Sequence, residues 1–133
     1  MKDFTVTTTV TAKRIMDLLI TALEGGSNYW CALDGLFLPN GTEISDFTED
    51  ALTNDYYPTY IQAVTHDDVH IMLYDVEDHE TTWKLTREGL AKGLQLLSEE
   101  YPKHYRDMLA GHDDADTADA FLQLAALEEI VYG

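Results

Sequence analysis

Three β-prone segments joined by very short turns run through the middle of the chain, and they limit the fold more than any other feature. Tyr60 to Thr65, Val69 to Val76 and Thr81 to Leu85 are separated by His66-Asp67-Asp68 and by Glu77 to Glu80. Connections that short join antiparallel neighbours, whereas a parallel pair needs a crossover of roughly a dozen residues or more. The chain then changes period. Thr86 is placed to cap a helix over Arg87 to Glu100, with Leu90, Leu94, Leu97 and Tyr101 on one stripe.

The flanks add helices and one further strand. Phe4 to Val10 is rich in Thr and Val and reads as a strand, with Phe4, Val6 and Val10 on one face. Thr11 caps a helix over Ala12 to Glu24, buried along Ile15, Leu18, Leu19, Ala22 and Leu23, and Gly25-Gly26 stops it in the left-handed conformation glycine favours. Ser27 to Leu38 is open between a short helix and a strand over Tyr29 to Leu33, because so short a run does not fix its period. Pro39-Asn40-Gly41 is a turn, and one helical turn fits Phe47 to Leu52. Pro102 suits the first position of a helix running to Ala110, and Gly111 ends it. Asp113, Asp114 and Asp116 lead into a last helix, Thr117 to Leu127, and Ile130 to Tyr132 adds an edge strand. The expected architecture is α+β: one domain of 133 residues, with a three- to four-stranded, mostly antiparallel sheet packed with three to four helices.

Charge narrows the function classes. Asp and Glu number 25 against 8 Lys and Arg, a formal net charge of −17. No Lys or Arg lies between Arg14 and Lys84, or after Arg106. Such a field repels nucleic acid and anionic membranes and attracts basic partners. Net charge also serves solubility without any partner. Cys31 is the single cysteine, so an internal disulfide is impossible and a reducing compartment fits. MKDFTVTTTV has an acid at position 3 and no apolar core, unlike a signal peptide, and no apolar stretch approaches a membrane span. The expected location is the cytoplasm.

Four stretches invite chemistry. His66, Asp68 and His70 would share one face of a strand and supply zinc-type donors, but a turn there breaks the alternation and no fourth ligand sits at the right spacing, so no metal is expected. Asp114-Ala115-Asp116-Thr117-Ala118-Asp119 begins like a calcium loop, yet Asp119 stands where glycine is required and Ala125 where glutamate is required. Acids at a helix start account for it, and Asp114, Asp116, Asp119 and Gln123 form a row able to hydrogen-bond a polar ligand or a partner's arginine. Glu24 to Trp30, EGGSNYW, is either a helix stop with packed aromatics or a turn that projects Asn28, Tyr29 and Trp30 into a binding surface. Cys31 has no basic neighbour or helix start to lower its pKa, and no nucleophile elbow, phosphate loop or dinucleotide motif occurs. No cofactor and no catalytic residues are expected.

The helix followed by EGGSNYW, the segment Tyr101-Pro102-Lys103-His104-Tyr105, the D-D-A-D-T run, Phe121-Leu122-Gln123, the closing Val131-Tyr132-Gly133 and Tyr56-Tyr57-Pro58 together resemble a group of small acidic proteins encoded by phages, prophages and plasmids. That group often has glycine where this chain has Ala118. The resemblance implies a mobile-element accessory protein, and such proteins often counter host defences; it is an association and carries no mechanism. Two readings follow. In the first, the chain is a non-enzymatic inhibitor that binds a basic surface of a host protein, with its carboxylates standing where nucleic-acid phosphates would. In the second, it sequesters a nucleotide-type small molecule on Tyr29 and Trp30, with Asn28 reading the base edge; an anionic ligand would then need Lys13, Arg14, Lys84 or Arg87 in the pocket.

Overall fold

Thr11 starts the first helix by turning its hydroxyl oxygen onto the Arg14 amide at 3.3 Å while its own backbone stays extended. The computed structural model describes residues 1–44, 59–64 and 68–133. In it, α1 spans Ala12–Thr21 and opens into one π-helical turn, Ala22–Gly26. The expected stripe is inward, with Leu18, Leu19 and Ala22 fully buried. The glycine pair ends this segment for another reason than expected. Neither glycine is left-handed. Gly26 instead lies against the carbonyl of Ala115, and a Cβ there would sit 2.8 Å from that oxygen.

After a turn over residues 27–30 the chain enters β1, Cys31–Phe37. The sheet is completed by β2, His70–Asp75, and β3, Thr82–Thr86, in the order β1-β2-β3 and antiparallel throughout. Cys31 stands opposite Asp75 and Phe37 opposite His70, with a register shift between Leu33 and Gly35. Across the other ladder, Tyr74 faces Thr82 and His70 faces Thr86. Ile71, Leu73 and Leu85 bury one face. The Pro39-Asn40-Gly41 turn is present, with Gly41 at φ 89° and its amide on Leu38 O at 2.9 Å.

The architecture is α+β, with the three-stranded antiparallel sheet packed against several helices. Three expected strands are absent from it. Residues 60–65 were the first arm of the expected meander, but Thr59–Ala63 forms a short helix, α2. Ile61 and Val64, three positions apart, are both fully buried, and that packing outweighs the β-propensity of the segment. Residues 1–11 form neither helix nor strand, and Phe4 and Val6 are 97% and 87% exposed. Propensity alone does not make a strand where no neighbour takes up its backbone hydrogen bonds. Ile130 to Tyr132 pairs with no strand either, because its amides are taken by a side chain, as described below. The expected helical turn at Phe47 to Leu52, the Tyr56-Tyr57-Pro58 motif and the His66-Asp67 turn lie outside the described residues.

The C-terminal half follows its sequence signals closely. Thr86 caps α3, Arg87–Glu100, accepting the Gly89 amide at 2.9 Å. Pro102 opens α4, Pro102–Ala110, and Gly111 at φ 75° closes it. The last helix, α5, spans Ala115–Leu127, starting two residues earlier than expected, because Asp114 is the cap and accepts the Thr117 amide at 3.0 Å. Eight of its thirteen residues are buried, which makes α5 the central helix. Gly93 of α3 packs directly on its backbone, where a Cβ would sit 2.6 Å from Ala125 N.

Candidate functional site

α5 presents Asp119 and, one turn on, Gln123 toward the turn that follows α1. The Asp119 carboxylate accepts three donors from that turn: the Ser27 hydroxyl at 2.7 Å, the Trp30 indole N–H at 2.7 Å and the Tyr29 hydroxyl at 2.5 Å. Gln123 Nε2 donates to Asp119 Oδ2 at 3.1 Å. The sequence placed Tyr29, Trp30, Asp119 and Gln123 in two separate stretches, and the fold brings them into one network.

Gln123 extends the network to the C-terminal tail. Its Oε1 accepts the amides of Val131 and Tyr132, both at 2.9 Å, and its Nε2 reaches Tyr132 O at 3.2 Å and Tyr29 Oη at 3.3 Å. A side-chain amide here does what a neighbouring strand would do for the tail. The docked Tyr132 ring stacks on Trp30 at 5.2 Å and 12°, while Trp83 meets Trp30 edge-on at 5.3 Å. Val76 N–H donates to Trp30 O at 3.1 Å, so the β2–β3 turn is fixed to the same end of the molecule.

The network is closed on itself. Ser27 and Trp30 are buried, and among the described residues no buried side-chain nitrogen or oxygen lacks a hydrogen-bond partner. Trp30 therefore serves the core, and a base could stack on it only by displacing Tyr132. Tyr29 is half-exposed although its hydroxyl is engaged, Asn28 is exposed on the turn, and Val131 is exposed on the docked tail. Asp116 is exposed on the first turn of α5. Asp114 is the helix cap, and the Thr117 amide holds its carboxyl below the usual range. Ser27 and Tyr132 belong to the network but were not singled out in the sequence. Ser27 was readable only as a cap beside two glycines, and Tyr132 only as part of a strand-like ending.

The electrostatics of this end are one-sided. Burial first, then the Asp119 hydrogen bond and charge, push the Tyr29 hydroxyl up to about 12, with Asp116 adding to the effect. Burial, then Asp119 and Asp75, push the Cys31 thiol up to about 12, which makes it a protonated core group rather than a nucleophile. Burial, Asp75 and Glu77 raise Tyr132. The four ion pairs found among the described residues, Lys13–Asp17, Arg14–Asp113, Lys92–Glu128 and Lys103–Asp107, involve none of these acids.

Among the described residues no group of three or more His, Cys, Asp or Glu side chains is placed to hold a metal ion, and no helix is long and apolar enough to cross a membrane. His66 of the candidate His66-Asp68-His70 set lies outside the described residues. The chain matches no protein-family model, no curated protein and no solved structure.

Proposed function

We propose that this chain is a non-enzymatic binding protein whose acidic end, centred on Tyr29, docks on a basic surface of another protein. The observation that carries this reading is the convergence of Asp75, Glu77, Asp116 and Asp119 on the Tyr29–Cys31–Tyr132 cluster without any ion pair to offset them among the described residues. Exposed carboxylates around a half-exposed tyrosine and Val131 have the composition of a protein-binding patch: an aromatic anchor with a charged rim. The network behind it holds Tyr29 in one orientation, so less freedom is lost on binding.

The resemblance to phage, prophage and plasmid proteins supports a host protein as the partner, and a nucleic-acid-handling defence component in particular. Such a protein has a basic site where carboxylates substitute for phosphates. The test is capture from host lysate on the immobilised protein, with elution by a salt gradient. A partner should release as salt rises. The double variant Glu77→Gln, Asp116→Asn should lose the partner while its far-ultraviolet circular dichroism stays unchanged. A variant that retains the same partner at the same salt overturns this reading.

A further inference from the structure

The opposite end of the sheet holds two basic residues, Lys84 and Arg87. β3 runs away from the acidic turn to Lys84 and Thr86, and α3 begins there at Arg87. A cleft of about 400 Å³ opens at this point, its lining including His70, Lys84, Thr86, Arg87, Glu88 and Pro39. Strand register puts His70 opposite Thr86 and diagonal to Lys84, all on one face of the sheet.

We propose that this cleft binds the phosphate group of a phosphate monoester. Lys84 supplies the charge, and it enters none of the ion pairs among the described residues. α3 is fourteen residues long, and its first amides have no acceptor within the helix; the Thr86 hydroxyl oxygen takes only the Gly89 amide. The Glu88 amide and the Thr86 hydroxyl proton have no acceptor among the described residues. A helix start alone is not a site. The independent observation is His70, only 6% exposed and stacked on Phe37 at 5.9 Å, whose imidazole makes no hydrogen bond among the described residues. No fully buried side-chain nitrogen among the described residues is unpartnered, so the polar edge of His70 is the part that reaches the cleft. Burial and Lys84 hold the ring below its usual pKa, so it is neutral, with one N–H to donate. An oxyanion with several acceptor oxygens satisfies His70, Lys84 and the helix start together, and the cleft leaves room for the organic group the phosphate carries. Glu88 is an opposing charge, since its carboxylate stands on the same first turn.

The site lies at the far end of the sheet from Tyr29 and does not depend on the protein-binding reading, so either can fail alone. The test follows the His70 ring protons by NMR, assigned with His70→Gln, while inorganic phosphate, glycerol phosphate, acetate or glycerol is added. Both phosphates should give a saturable His70 shift, and bound phosphate should raise the His70 pKa. Lys84→Ala should weaken binding by about tenfold or more, the loss expected of one charge-assisted hydrogen bond. Glu88→Gln should tighten it, an outcome that does not require a damaged fold, and Lys103→Ala should leave it unchanged. A His70 shift that fails to saturate with phosphate, that survives Lys84→Ala undiminished, or that acetate reproduces equally overturns the assignment.

Discussion

The Asp119 carboxylate holds the Trp30 indole N–H at 2.7 Å across 89 positions of chain, and around that bond the two most distinctive stretches of the sequence meet. Replacing Asp119 with alanine leaves the Ser27 hydroxyl and the Trp30 N–H buried without an acceptor. Each such loss costs on the order of 1–3 kcal/mol. Asp119→Ala should therefore lower stability by about 3 kcal/mol or more, and Ser27→Ala by about 1 kcal/mol, in urea denaturation followed by far-ultraviolet circular dichroism. Equal stability of Asp119→Ala and the parent would show that the network does not hold the fold.

The same end sets a limit at alkaline pH. Cys31 is raised from 9.0 to about 12, Tyr29 from 10.0 to about 12, and Tyr132 in the same direction. Each group binds its proton more tightly folded than unfolded. Its contribution is complete below the unfolded value and is lost as pH climbs toward the folded one. Stability should fall from about pH 9 upward, with the thiol responsible for the onset. Cys31→Ala should move the onset about one pH unit higher, because tyrosine then titrates first. A urea midpoint that stays flat from about pH 8 to about pH 11 contradicts this.

Gly93 is where α3 and α5 come closest, and a Cβ added there would lie only 2.6 Å from a backbone nitrogen that cannot rotate away. Gly93→Ala should cost about 1–3 kcal/mol by overpacking. Gly25 provides the control, since a Cβ there meets nothing within 4 Å. Gly25→Ala should be neutral or stabilising by up to about 1 kcal/mol. Thermal denaturation of the two variants should separate them clearly.

The first nine residues are exposed and make no regular structure. Removing them should change stability by less than about 0.5 kcal/mol. Their amide protons should exchange with solvent far faster than those of β2. A large loss of stability on truncation would mean that Phe4 and Val6 are covered in solution.

The helices were readable from sequence because caps and period agree locally. Thr86, Pro102 and Gly111 each stand at the boundary they specify. β1 was left open between a strand over Tyr29 to Leu33 and a short helix, and the strand forms over Cys31–Phe37; its register shifts between Leu33 and Gly35, which breaks the period-two alternation that would have announced it. Residues 4–10 and 60–65 carry strand propensity, but pairing is decided by neighbours far away in the chain. The site followed the same rule. Tyr29, Trp30, Asp119 and Gln123 were all visible as polar or aromatic residues near helix ends. Their mutual satisfaction depends on contacts roughly ninety positions apart, which no local pattern encodes.

The chain has two tryptophans: Trp30 stacks on Tyr132, and Trp83 meets Trp30 edge-on. Its intrinsic fluorescence is thus a local meter. Emission reports whether the tail is docked at that one end. An opening of the tail would change the emission while the helical circular dichroism stays constant, so the protein carries its own optical probe for that single movement.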